Sequence, residues 1–132
     1  MYQGPDNLQR LCDVLVRFRQ DRVAFVCDIK EMFLQVGIPP DQRDFMRILW
    51  FKNDDLNGPI VVFRFKRLPF GLNCSMSIAS FVLWLIAETN RTGACKDALQ
   101  ILIKNSYVDD GLGCAEDEDS DARIALELIE IL

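Results

Sequence analysis

The chain has 132 residues, half of them apolar or aromatic and 27% charged, the composition of one folded domain and not of a disordered segment. It lacks histidine, which excludes Ser-His-Asp and Cys-His chemistry and His-ligated zinc or haem. Of its net charge of −5, residues 109–132 contribute nine acids against one base, while residues 1–108 carry 11 acids and 14 bases, so a mildly basic body with one acidic corner still permits a nucleic-acid partner.

From Asp6 to Phe18, apolar residues at Leu8, Leu11, Cys12, Leu15 and Phe18 trace an amphipathic helix, with Asp6 as its cap. Val23 to Cys27 is a short β-branched and aromatic run, predicted as a strand buried on both faces and ending on Asp28. Phe33 to Ile38 fits a helical turn stopped by Gly37, Pro39 and Pro40. Phe45–Phe51 and Ile60–Lys66 read as a hairpin joined by a loop rich in turn formers, with Val61, Phe63 and Phe65 on the buried face and Val62, Arg64 and Lys66 on the other.

The turn Leu68-Pro69-Phe70-Gly71 leads into an apolar helix from Ser75 to Ala87, with Met76, Phe81 and Trp84 expected in the core, and a further helix covers Lys96 to Lys104. Ser106 to Ala115 then reads as strand, turn and strand with acids at its apex. An acidic solvated loop runs to Asp121. Ile124, Ala125, Leu128, Ile131 and Leu132 form a last helical stripe capped by Ser120. Helices interspersed with antiparallel hairpins imply an α+β fold, with helices covering one face of a small sheet.

Neither a leader pattern nor a membrane span is expected. Leu68 to Ala87 runs twenty residues without a charge, but Pro69, Gly71, Asn73, Ser75, Ser77 and Ser80 leave too little continuous helix to cross. The five cysteines, Cys12, Cys27, Cys74, Cys95 and Cys114, include no C-x-x-C pair and read as reduced thiols of an intracellular protein.

Two acidic features sit where acids are unwelcome. Asp28 closes an apolar strand, and Asp109-Asp110 lies between two strand-like runs with no lysine or arginine adjoining it. If the two segments are neighbours, three carboxylates converge, and a hard divalent cation such as Mg²⁺ or Mn²⁺ is their natural counter-charge. Equally, Asp-Asp-Gly is ordinary turn chemistry and a strand-end Asp an ordinary surface acid.

Taken together, the blocks FVCDIKEMF (25–33), LPFGLN (68–73) and YVDD (107–110) resemble, in order and separation, motifs A, B and C of a reverse transcriptase palm. The wording DIKEMFLQVGIPPDQRDFMRILW and RLPFGLNCSMSIASFV is most similar to the Pao/BEL group of long-terminal-repeat retrotransposons. The resemblance implies a polymerase palm-like (ferredoxin-like) antiparallel sheet with part of the fingers, spanning residues 1–132 as a partial reverse transcriptase domain. It implies RNA-directed DNA polymerisation, that is, nucleotidyl transfer from a dNTP to a primer 3′-hydroxyl by two-metal-ion catalysis.

By the same resemblance, Asp28, Asp109 and Asp110 are the catalytic acids and Mg²⁺ (or Mn²⁺) ligands, with the Ile29 carbonyl serving the nucleotide-side metal. The amides around Glu31 and Met32 face the triphosphate. Phe33 lies under the sugar and excludes a 2′-hydroxyl, and Phe70 and Gly71 pack near the new base pair, glycine allowing close backbone approach. Tyr107 touches the primer end, and Pro69 and Arg67 lie toward the template–primer. Phe70 stands where some retroviral enzymes have glutamine, so contacts from that amide are not expected. The implied partners are an RNA or DNA template with primer, dNTPs and the remainder of a retroelement polyprotein (thumb, RNase H), in a cytoplasmic particle and without a membrane. Lacking thumb and upstream fingers, the chain is expected to carry the metal site yet polymerise poorly or not at all alone. The competing expectation is a catalytically inactive retroelement-derived module that binds nucleic acid or protein.

Overall fold

The computed structural model describes residues 2–132. In chain order the elements are α1 (Leu11–Arg17), β1 (Val23–Asp28), α2 (Met32–Gln35), β2 (Arg47–Phe51), β3 (Ile60–Arg64), α3 (Ser75–Thr89), α4 (Lys96–Lys104), β4 (Ser106–Tyr107), β5 (Asp110–Ala115) and α5 (Glu118–Ile131). The fold is α+β, with two separate antiparallel sheets: a three-stranded one in the order β1-β5-β4, and the β2–β3 hairpin.

In the three-stranded sheet, alternation decides which residues meet the helices. Phe25 and Cys27 of β1 and Gly111, Gly113 and Ala115 of β5 face α4 and α5. The two glycines are there for room. A Cβ on Gly111 would stand 2.6 Å from Cys27 Sγ, and one on Gly113 would overlap the Phe25 ring and come within 2.8 Å of Ile101 Cδ1. Without side chains at 111 and 113, Phe25 and Cys27 lie across the middle strand and α4 closes on it. Behind the sheet, Ala98, Leu99, Ile101 and Leu102 of α4 and Ile124 and Leu128 of α5 join Leu83 and Ala87 of α3, Met32, Phe33 and Leu68 in one core.

Several expectations are corrected. β1 is covered on one face only, because its residues alternate half-buried and exposed and Val26 is 60% exposed; five apolar residues in a row do not reveal which side is open. The first helix begins at Leu11, not Asp6. Asp6 instead accepts the Leu8 amide in a local turn (3.3 Å), and Val14, outside the expected stripe, is the buried residue. Helices do not all lie on one face: the Cys114 thiol, on the side of β5 away from α4, donates to the Arg17 carbonyl at the end of α1.

α3 turns Ser75, Ala79, Leu83 and Ala87 inward at i, i+4 spacing, and its first turn is tied back by Ser75 Oγ donating to the Pro69 carbonyl at 2.8 Å. Phe81 and Trp84 are consequently half-exposed and stacked on each other, not in the core, while Met76 packs at its margin. α5 is capped by Asp117, whose carboxylate accepts the Ser120 amide at 2.8 Å. Ser120 lies inside the helix, as do the acids from Glu118 to Asp121 expected in a loop, where they complement the helix dipole.

The hairpin β2–β3 pairs Arg47 with Arg64, Ile48 with Phe63 and Trp50 with Val61. No residue of either strand is buried, and the expected inner face is only partly formed: Val61 and Phe65 are half-buried and Phe63 is exposed. Among the described residues, no helix is long and apolar enough to cross a membrane.

Candidate metal centre

The end of β1 and the start of β5 are joined in register: Asp28 lies directly opposite Asp110, and Tyr107 of β4 lies opposite the same Asp110 on the other side. The pairing of Tyr107 with Asp110 leaves Val108 and Asp109 as a two-residue turn. The Ile29 amide donates to the Asp109 carbonyl at 2.9 Å, stitching the residue after the strand end to the turn. These constraints bring one carboxylate oxygen each of Asp28, Asp109 and Asp110 within 4.8 Å of one another.

The turn carries strain. Val108 has φ +60°, a left-handed conformation that a β-branched residue rarely adopts. Asp109 is half-buried, and Asp28 and Asp110 are exposed. Among the described residues, the ion pairs to Lys or Arg are made by Asp44 and Glu88, not by these three acids. Like charges directly opposite on paired strands destabilise the pairing. Their field reaches Cys27, next in the chain, whose thiol is pushed above its ordinary value by burial first, with the Asp110 and Asp28 charges adding to it.

An all-oxygen donor set of three carboxylates suits a hard divalent cation, Mg²⁺ or Mn²⁺, and could hold one. The Ile29 carbonyl already accepts the Met32 amide at 3.1 Å, which leaves it one further lone pair.

Through that bond the Met32 N–H is engaged inside its own turn, and the Met32 side chain is buried. Glu31, exposed, has φ +53° at the entrance of α2. Phe33 is 7% exposed and belongs to the core. The ring presented to solvent beside it is Phe70, in edge-to-face contact at 5.2 Å and 65% exposed. Gly71 is required by its φ of +79°, not by close approach, since a Cβ there would meet nothing within 4 Å. Pro69 is held through its carbonyl by Ser75. Arg67 donates to the Gln35 carbonyl at 3.0 Å and bridges to Gly37, so it braces the segment after α2. Tyr107 is half-buried beside Asp110.

The structure therefore unites the three acids, Ile29 and Tyr107 in one place, and Phe33 with Phe70 in another. Val108, Gly111 and Gly113 shape the acid site and escaped sequence reasoning. A Gly-x-Gly placed to pair with Phe-x-Cys was the signal for the two glycines, and none foretold the backbone of Val108. A groove of about 560 Å³ borders the turn, with Val108, Ser106, Phe81 and Trp84 in its wall. No protein-family model matches the chain, and no curated protein matches it.

Proposed function

We propose that this chain is the palm region of an RNA-directed DNA polymerase, with part of the fingers, most similar to those of Pao/BEL-type retrotransposons. The observation that carries the reading is the convergence of Asp28, Asp109 and Asp110, brought from positions some eighty residues apart to within 4.8 Å at one end of an antiparallel sheet. The order of the motifs along the chain supports it, as does a three-stranded sheet backed by two helices.

In this reading Asp28 and Asp109 hold the metal, with Asp110 and the Ile29 carbonyl completing the donor set. When bound, Mg²⁺ or Mn²⁺ supplies Lewis-acid stabilisation of the attacking primer oxygen and the departing pyrophosphate oxygen. The chain's own residues set the geometry. The β1–β5 register fixes the Asp28–Asp110 spacing, the Ile29–Asp109 bond fixes the turn, and Tyr107 borders the acids on the primer side. Phe70, over Phe33, is the surface offered to the nucleotide. The partners are a template–primer, dNTPs and the remaining parts of a retroelement polyprotein.

The test reads binding alone. Mn²⁺ or Mg²⁺ at a hundred times its dissociation constant should stabilise the native protein by about 2.7 kcal/mol and leave Asp109→Asn unmoved, and cation-dependent binding of a dNTP with a primed RNA template should vanish in Asp28→Asn. An equal thermal shift in Asp109→Asn, or dNTP binding that survives Asp28→Asn, refutes the proposal.

A further inference from the structure

We propose that the outer edge of β2 is a self-association surface: two copies of the chain pair β2 against β2, antiparallel about Leu49, and join their hairpins into one four-stranded sheet. The inference does not rest on the acid site, which lies on the other sheet.

Backbone direction is the first observation. The Phe65 amide donates to the Met46 carbonyl at 3.1 Å and the Lys52 amide to the Pro59 carbonyl at 3.0 Å. By alternation, Met46, Ile48, Trp50 and Lys52 are the positions that bond across the hairpin. The amides of Arg47, Leu49 and Phe51 therefore point away from β3, and among the described residues β2 pairs with no other strand. The outer edge of β3 differs, because beyond Arg64 it is taken up by residues 36–38. Ile38 donates to the Lys66 carbonyl and Leu68 to the Val36 carbonyl, both at 2.9 Å, and Gly37 bridges to Arg67. A strand laid along β3 would run into that segment.

The second observation is that β2 has none of the usual protections at its centre. Edge strands are normally blunted by a lysine, a proline, a bulge or an inward charge. Arg47–Phe51 reads RILWF in unbroken register, and its one charge stands at the end, already met by Asp44 at 3.1 Å. Leu49, in the middle, is 68% exposed. The strand is also complementary to itself. A two-fold axis at Leu49 is the register that keeps the whole of β2 paired. It sets Leu49 against Leu49, and Arg47 against Phe51 of the second copy, a guanidinium beside an aromatic ring and not beside its like. On the opposite face it sets Ile48 against Trp50, a favourable β-branched and aromatic pair. Such a contact is closed, since it consumes both β2 edges and leaves only the partly covered edges of β3. Five residues a side fall far short of the roughly 20–30 of a standard stable interface. The dimer accordingly forms in concentrated protein, and the monomer prevails in dilute solution.

The experiment uses the whole chain in EDTA, so that no divalent cation contributes. Sedimentation velocity over a rising concentration series should show a reversible monomer–dimer equilibrium and no larger species. Leu49→Lys, which opposes like charges at the axis, should weaken dimerisation by roughly tenfold. Its circular dichroism spectrum and melting temperature at low concentration should match those of the native protein. Leu49→Glu should behave likewise, and an equimolar mixture of the two variants should pair again. Disulfide trapping reads the register. Across a hydrogen-bonded antiparallel pair the Cα atoms lie about 5.5 Å apart, within the reach of a disulfide. Leu49→Cys should therefore cross-link to itself under mild oxidation, with the bridge located by peptide mass mapping against the five native cysteines. Arg47→Cys should cross-link to Phe51→Cys but not to itself, because its two copies stand roughly 14 Å apart along the strands.

Three results overturn the proposal. They are a monomer at every concentration up to the solubility limit, dimerisation indifferent to Leu49→Lys and Leu49→Glu, and Val62→Cys on β3 cross-linking to itself as readily as Leu49→Cys. The second assigns association to another surface, and the third assigns it to the β3 edge. Because the assay excludes divalent cations and is repeated with Asp109→Asn, failure of the polymerase reading leaves the dimer intact, and loss of the dimer leaves that reading intact.

Discussion

The two sheets of this molecule are built from similar residues and end in opposite conditions. The β1-β5-β4 sheet is backed by α4 and α5, and its glycines let Phe25 and Cys27 pack flat against them. The β2–β3 hairpin, as rich in Val, Ile, Phe and Trp, buries none of them. β propensity is thus satisfied in both, but only the first converts it into a core. A functional arrangement that demands fixed distances, such as three carboxylates within 4.8 Å, belongs on the sheet whose register is locked by burial on one face. A two-stranded ribbon by itself is marginally stable, and it is suited to an adaptable contact.

The sharpest way to break that contrast is truncation. Leu128→Ala, behind the packed sheet, should cost about 2–5 kcal/mol in chemical denaturation, whereas Leu49→Ala, 68% exposed on the hairpin, should stay within about 0.5 kcal/mol. Comparable losses at both sites would mean that the hairpin is packed in solution. Next in size, Gly113→Ala should destabilise by about 1–3 kcal/mol, because its methyl group has no room beside Phe25 and Ile101. Gly71→Ala should be penalised only through its positive φ.

A smaller effect of opposite sign sharpens the electrostatic side. Asp110→Asn removes one member of a like-charged cross-strand pair, so without divalent cation it should stabilise the protein by up to about 1 kcal/mol, measured by thermal melting. The same substitution should abolish stabilisation by added Mg²⁺.

Smallest are the pH effects, followed by circular dichroism without divalent cations. Hydrogen bonds from the Ser120 amide and hydroxyl hold the Asp117 carboxyl below its ordinary range, and Arg64, then Arg47, do the same for Asp44. Both groups contribute stability above the ordinary aspartate value, and that contribution fades as pH falls through their depressed values. Cys27 is raised, so its contribution is complete below the ordinary thiol value and is lost as pH climbs through the raised one. Acid should therefore loosen hairpin and helix alike, and alkali the three-stranded sheet.

What the sequence made legible follows from how local each signal is. The residues of β1, α4 and the YVDD turn were readable because apolar runs, periodicity and turn chemistry are written in adjacent positions. That Asp28 meets Asp109 and Asp110 was legible only as a conditional, since strand pairing across eighty residues leaves no local mark. Phe81 and Trp84 were misjudged because α3 is apolar nearly all round, so hydrophobicity did not distinguish its small inward residues, Ala79 and Ala87, from its large outward ones. At α5, two capable caps, Asp117 and Ser120, stood three residues apart, and only backbone geometry decides between them.

The left-handed Val108 carries a consequence for the route to the native state. A β-branched residue with positive φ does not favour its own turn, so the short β4–β5 hairpin has little reason to close early by itself. It closes once β1 and α4 are in place to hold it, which makes the acid-bearing end a late acquisition of the folding reaction. Val108→Gly should accordingly leave the folding rate nearly unchanged and show its effect on the unfolding rate.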